Sequence, residues 1–169
     1  NVPISRYEII QKMKKKSFDV ILYHPEIPHN TGNIIRLCAN TGATLHLIEP
    51  LGFQLDDPNL KRASLDYSDL TNVFVHSTIQ DCFDSLSMKQ PYVVTPRTNR
   101  IYTQVSFSPG DAIMFGPESV GFKEDFLNTF NDDLLISIPM TPSNRSLNLA
   151  NAVSIVLYEA WRQCDFFTK

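Results

Sequence analysis

No stretch of this sequence approaches the ~18 consecutive apolar residues needed to span a bilayer, and its first residues lack the apolar centre of a secretory leader. A soluble protein is expected. Cys38, Cys82 and Cys164 are odd in number, far apart and without CxxC spacing, which excludes a disulfide framework and points to a reducing, cytoplasmic location. His24, His29, His46 and His76 form no HxxxH or comparable ligand pair, so no metal site is expected. GxGxxG, the Walker loop and the GxSxG elbow are missing too, which disfavours an ordinary nicotinamide, ATP or acyl-transfer site. A basic excess is also lacking, with 15 Lys and Arg against 18 Asp and Glu and a formal charge of -3. Any RNA partner must therefore meet a local patch rather than a global field. Candidate patches are Lys14, Lys15 and Lys16, then Lys61 with Arg62, and Arg97 with Arg100.

What is present suits one domain with a sizeable core: 169 residues, 43% hydrophobic, with no internal repeat or low-complexity segment. Ile4 to Lys16 reads as a short amphipathic helix outside the main fold. Strands are expected at Phe18 to Tyr23, Thr44 to Glu49, Asn72 to His76, Tyr92 to Thr95 and Ala112 to Phe115. Between them, helices are expected from a cap at Asn30 or Thr31 to Gly42, from Asn59, over Ile79 to Leu86, and from Lys123 to about Phe130. Two prolines in HPEIPHN argue against both helix and ladder pairing there. Strand and helix alternate throughout, which predicts an α/β fold with a largely parallel sheet and helices on both faces.

The chain converges on its last stretch. Leu134 to Ile138 reads as a short buried strand, TPSNRSLN as a polar loop, and a long helix begins near Ser146. Leu149, Val153, Val156 and Ala160 fall on one flank of that helix, and Ala150, Leu157 and Trp161 on another. Two apolar flanks predict two covers, one from the sheet and one from a second subunit. A narrower polar line runs between them through Asn148, Asn151, Tyr158 and Arg162.

Three loops at strand ends, PRTNR, GPES and IPMTPSNRS, would offer backbone amides, hydroxyls and apolar surface. They sit where open α/β sheets bind ligands, beyond the strand ends, and such a lining suits a neutral heterocycle more than a triphosphate. Gly116 after a strand would let backbone approach a bound molecule closely. Arg36, on one helix face with Asn33 and Asn40, is unusual for an interior α/β helix.

The segments PEIPHNTGNIIRLCANTGATLHLIEPLGF, MFGPESVGF and IPMTPSNRSLNLANAVSIVLYEAWRQ resemble the three motifs of the SPOUT RNA methyltransferases. They are most similar to the small TrmL (YibK) group, which methylates the 2′-oxygen of the tRNA wobble nucleotide. The resemblance implies an extension over residues 1–17, a methyltransferase domain over 18–169 with a C-terminal trefoil knot, and a homodimer formed through the last helix. It further implies S-adenosylmethionine as cofactor, held by Val94, Thr95, Gly116, Ile138, Ser146 and Leu147. Asn30, Arg36, Glu118, Ser146 and Asn148 match catalytic positions, with Arg36 facing a cofactor on the partner subunit. A guanidinium is protonated at neutral pH, so Arg36 is expected to fork a phosphate and stabilise alkoxide charge while the proton passes to phosphate, water or Glu118. The tRNA anticodon stem-loop would meet Lys61, Arg62, Arg97 and Arg100. PRTNR replaces the lysine and glycine pattern expected from relatives in that loop. Methylation of ribosomal RNA or another tRNA position, and a non-catalytic RNA- or nucleotide-binding module, are the competing readings.

Overall fold

A computed structural model describes residues 17–58, 60, 72–86 and 90–167. Six strands, β1 (Asp19–Tyr23), β2 (Thr44–Ile48), β3 (Val73–His76), β4 (Tyr92–Val94), β5 (Ala112–Phe115) and β6 (Leu135–Ile136), form one sheet in the order β3-β2-β1-β5-β4-β6. Every pairing is parallel. Among the described residues four helices accompany it: α1 (Pro28–Thr41), α2 (Ile79–Leu86), α3 (Glu124–Leu127) and α4 (Leu149–Gln163). The predicted α/β class and parallel sheet are as observed.

Alternation along the strands builds two cores. Val20, Leu22, Ile113 and Phe115 point to one face, where they pack with Ile34, Ile35 and Cys38 of α1 and Val153, Val156, Leu157 and Ala160 of α4. Ile21, Ala112 and Met114 point to the other, against Cys82 of α2, Leu127 of α3, Phe122 and Phe130. Central strands buried on both faces explain the continuous apolar runs of the sequence. Full burial of each such Ile, Leu or Phe stabilises the fold by roughly 1.5–3 kcal/mol relative to exposure, so this double core dominates the folding energy.

Several element boundaries differ from expectation, each for a local reason. α1 starts at Pro28, with Ile27 at the cap and no side-chain cap bond, rather than at Asn30 or Thr31. Proline fits the first helical position, where no N–H is needed and its φ is already helical, so the second proline of HPEIPHN opens a helix. α4 starts at Leu149, capped by Asn148, not at Ser146. α3 ends after four residues because turns take over at Asn128, and Leu134 lies in a 3-10 turn that leaves β6 only two residues long. The expected helices at Ile4 to Lys16 and from Asn59 fall wholly or largely outside the described residues.

The last helix also departs from expectation in how it is covered. Leu149, Ala150, Val153, Val156, Leu157 and Ala160 are all buried within the single chain. Trp161 is half-buried, its Nε1 donating to the Phe167 carbonyl at 2.7 Å. Because α4 packs across α1 as well as the sheet, the chain itself supplies both covers.

Candidate active site

The β4–β5 side of the sheet carries a cavity of about 370 Å³ at the strand ends. Val94 and Thr95 line it from β4, Phe115 and Gly116 from β5, Ile138 and Met140 from the segment after β6, and Ser146, Leu147 and Asn148 from the run into α4. Asn30 and Glu118 close one side. Apolar walls with a few polar groups, at the carboxyl ends of parallel strands, are the usual make-up of a small-molecule site. Gly116 sits in a tight spot: a Cβ there would lie 3.0 Å from the Phe122 amide nitrogen, so the 121–122 backbone would have to give by a few tenths of an ångström.

One wall is held by a chain of hydrogen bonds that sequence separation conceals. Glu118 Oε2 accepts the Glu26 N–H at 2.8 Å, while Oε1 accepts the Ile27 N–H at 3.1 Å and Asn30 Nδ2 at 3.3 Å. Asn30 Oδ1 accepts from Asn148 Nδ2 at 2.9 Å, and Asn148 Oδ1 accepts the Ala150 and Asn151 N–H groups at the start of α4. The bonds reciprocate, because the Glu26 carboxylate accepts from Ser119 N and Ser119 Oγ, each at 2.8 Å. Glu118 therefore joins the loop after β5 to the start of α1, and the two asparagines continue the link to α4.

Behind this wall lies the loop that leaves β2. Gly52 N donates to the Pro25 carbonyl at 2.9 Å, and a Cβ on Gly52 would lie 2.7 Å from the Cα and carbonyl oxygen of Glu26. Glu26 thus has its backbone packed closely against one loop and binds the next with its carboxylate.

The SpoU rRNA Methylase family pattern matches residues 17–158. The chain belongs to this SpoU family. A tRNA (cytidine(34)-2′-O)-methyltransferase of Methylovorus glucosotrophus is 48% identical over 149 residues, covering 88% of this chain and 97% of the relative. A structure described as giving insights into the 2-OH methylation of C/U34 on tRNA superposes with a TM-score of 0.80 at 40% identity, over 89% of this chain and 97% of that one. AviRb of Streptomyces viridochromogenes, a SpoU methyltransferase in complex with AdoMet, gives a TM-score of 0.73 at 25% identity, over 89% of this chain and 59% of its own.

Within this SpoU chain the residues expected at the site divide into two groups. Val94, Thr95, Gly116, Ile138, Ser146 and Leu147, with Asn30, Glu118 and Asn148, all border the one cavity. Arg36 does not; it is exposed on α1, more than a turn beyond Asn30. Arg97 reaches the cavity rim but pairs with Glu124 at 3.3 Å, and Arg100 Nη1 bonds the Asp133 carbonyl at 2.6 Å and its carboxylate at 3.3 Å. Both pairs are exposed ones of little energetic weight. Lys61 and Arg62 lie outside the described residues.

Sequence reasoning missed Glu26, Ser119 and Gly52, which carry no local signature of their partnership. Arg145, the arginine of the polar TPSNRSLN loop, is exposed beside Ser146. Both Glu118 carboxylate oxygens are committed, to three donors in all. The expectation that no metal is held rested on spacing alone; the fold brings ligand atoms of His46, His76 and Cys82 within 4.8 Å of one another. Among the described residues, no helix is long and apolar enough to cross a membrane.

Proposed function

We propose that this protein is an S-adenosylmethionine-dependent methyltransferase acting on the ribose 2′-oxygen of the wobble nucleotide in the tRNA anticodon. The observation that carries the reading is the convergence of three distant segments, ending at Val94–Thr95, Gly116–Glu118 and Ile138–Asn148, on one cavity. It occurs in a chain 48% identical to a tRNA (cytidine(34)-2′-O)-methyltransferase. The cavity fits the cofactor in chemistry: its apolar wall of Val94, Ile138 and Leu147 suits a flat heterocycle, and Gly116 lets backbone approach closely.

When bound, S-adenosylmethionine supplies an electrophilic methyl group on a sulfonium centre. The chain's own residues have to hold the ribose in line with it and ease loss of the hydroxyl proton. Asn30, Asn148 and Glu118 fix the wall against which the sugar rests, and Ser146 offers a hydroxyl at the rim. Positioning of this kind supplies several kcal/mol of barrier reduction. Arg36 of a second protomer completes the site as a fork that binds the neighbouring phosphate and stabilises alkoxide charge. The proton passes to phosphate or water, since Glu118 already accepts three hydrogen bonds.

The homodimer is supported by exposed apolar side chains around the cavity mouth, Ile27 at 45%, Val120 at 72%, Met140 at 39% and Leu147 at 40%, with Tyr158 of α4 at 43%. A trefoil-knotted chain over 18–169, preceded by an extension over 1–17, belongs to the same reading, as does a cytoplasmic location. Arg97, Arg100, Lys61 and Arg62 are the proposed contacts to the anticodon stem-loop.

The test is transfer from radiolabelled S-adenosylmethionine to anticodon stem-loops and full tRNAs carrying C or U at the wobble position, followed by nucleoside mass spectrometry. One 2′-O-methylated nucleoside at that position is expected. Labelling of ribosomal RNA or of another tRNA position would redirect the substrate, and cofactor binding with no transfer to any RNA would make the protein a binding module.

A further inference from the structure

Three neighbouring strands place polar side chains along a diagonal of the sheet, apart from the cavity. The parallel register sets Ile21 beside His46 and His46 beside Phe74. Asp19 and His76 each stand two residues from those partners, in opposite directions, and so share the face of His46. His46 Nε2 meets Asp19 Oδ1 at 3.1 Å, and His46 Nδ1 meets His76 Nε2 at 2.9 Å. The carboxylate takes the Nε2 proton as its hydrogen bond, which leaves a lone pair on Nδ1 directed at His76. α2 lays Cys82, fully buried, over the same point. The two imidazole nitrogens and the Cys82 sulfur lie within 4.8 Å of one another.

We propose that His46 Nδ1, His76 Nε2 and Cys82 Sγ form a binding site for a borderline divalent transition-metal ion such as Zn²⁺, with Asp19 as the outer carboxylate that orients His46. The donor set selects this class, because imidazole and thiolate suit Zn²⁺ and its neighbours while Mg²⁺ and Ca²⁺ require oxygen ligands. A carboxylate behind a ligating histidine is the arrangement that fixes ring orientation and tautomer at such sites. Charge closes as well: two positive charges on the ion meet one on the Cys82 thiolate and one on the Asp19 carboxylate, so a mostly buried site becomes neutral.

Around a tetrahedral zinc ion, nitrogen and sulfur ligands stand about 3.3 to 3.6 Å apart. The two imidazoles therefore open by a few tenths of an ångström and the sulfur closes in. The ion displaces the Cys82 thiol proton to solvent as the metal–sulfur bond forms. His76 moves its proton from Nε2 to Nδ1. His76 is only half-buried, which leaves an open side for a water as fourth ligand. The site would staple the edge strand β3 and α2 to β2, and none of its four residues borders the cavity.

The experiment titrates Co²⁺ into the full-length, chelator-treated protein and follows its absorption, with Zn²⁺ then added as competitor. Saturation at one equivalent is expected, with a thiolate-to-metal charge-transfer band and tetrahedral ligand-field bands that Zn²⁺ abolishes. Cys82→Ser should remove the charge-transfer band. His76→Ala should weaken binding at least tenfold, and Asp19→Asn about 10- to 100-fold. Absence of saturable one-equivalent binding, or binding that Cys82→Ser and His76→Ala leave unchanged, overturns the site. If Cys82→Ser does not fold, His76→Gln at the half-exposed position decides by the same titration.

Discussion

The two loops that flank the cavity are built differently. Residues 116–121 are tied down: Glu118 and Ser119 between them make five hydrogen bonds to Glu26, Ile27 and Asn30, each at 3.3 Å or less. Residues 141–147, on the opposite side, are all exposed; there the Asn144 amide reaches the Thr141 carbonyl at 3.4 Å, and Ser143 stands at φ 68. One wall is formed in advance of any ligand, and the other is held mainly at its ends, by Ile138 and by the cap at Asn148. A site of this kind can keep its reacting geometry fixed while one side admits a large substrate.

The largest break in that contrast should come from Glu118→Ala. It strands the Glu26 and Ile27 amides and releases Asn30, which in turn loosens Asn148. A loss of tRNA methylation on the order of 100-fold is expected, because misplacement by about an ångström costs that much. Stability measured in urea should fall by about 1–3 kcal/mol for the unsatisfied donors. Glu118→Gln separates positioning from base catalysis: its single carbonyl oxygen keeps part of the network, so activity should fall between wild type and alanine. A glutamine variant as inactive as the alanine one would restore Glu118 as the proton acceptor.

Gly52→Ala tests the same wall from behind. Its new methyl would sit 2.7 Å from two backbone atoms of Glu26, so either the loop after β2 or the start of α1 has to move. Destabilisation of about 1–3 kcal/mol is expected from such overpacking. Activity should fall roughly tenfold, with the Glu26 amide drawn away from Glu118. Unchanged unfolding in urea would show that these loops give more easily than their hydrogen bonds suggest.

Glu26→Ala should do less, since it leaves Glu118 in place and removes only the clasp on Ser119. The KM for S-adenosylmethionine is expected to rise about fivefold with kcat nearly unchanged, the signature of lost ground-state binding rather than lost chemistry. Glu26→Gln, which retains an acceptor for the Ser119 amide, should recover most of the affinity. A fall in kcat with KM unaltered would move Glu26 from holding the cofactor wall to aligning the reaction.

The same contrast marks what could be read from residue order. β1, β2 and β5 matched their apolar runs to within a residue at each end, because central strands leave a nearly unbroken apolar signature; the edge strand β3 matched as well, although Phe74 and Val75 are exposed. Of the cavity-lining residues, Gly116, Ile138, Ser146 and Leu147 were legible through the motifs that carry them, and Val94 and Thr95 through the end of their strand. The partners of Glu118 were not: Asn30 lies 88 residues away and Glu26 lies 92, and no local period links them. His46 and His76 were hidden for a related reason. They meet only because β2 and β3 pair in one register across a connection whose length has no periodic meaning. The double cover of α4 was read from its flanks and assigned to a partner, when α1 of the same chain provides it.

The smallest expected effect comes from the loosely held wall. Ser143 occupies the left-handed region at φ 68, which costs a non-glycine residue about 1–2 kcal/mol. Ser143→Gly removes that cost in the folded state but enlarges the freedom of the unfolded chain by about 0.4–1 kcal/mol, so net stability should rise by about 0–1.6 kcal/mol. Cofactor KM should move less than about twofold, because the substituted residue is exposed and the loop has few bonds to lose. A tenfold weakening would mean that residues 141–147 are shaped in advance as firmly as residues 116–121, by the backbone conformation of Ser143 instead of by side-chain bonds. Both walls would then be rigid before any tRNA arrives.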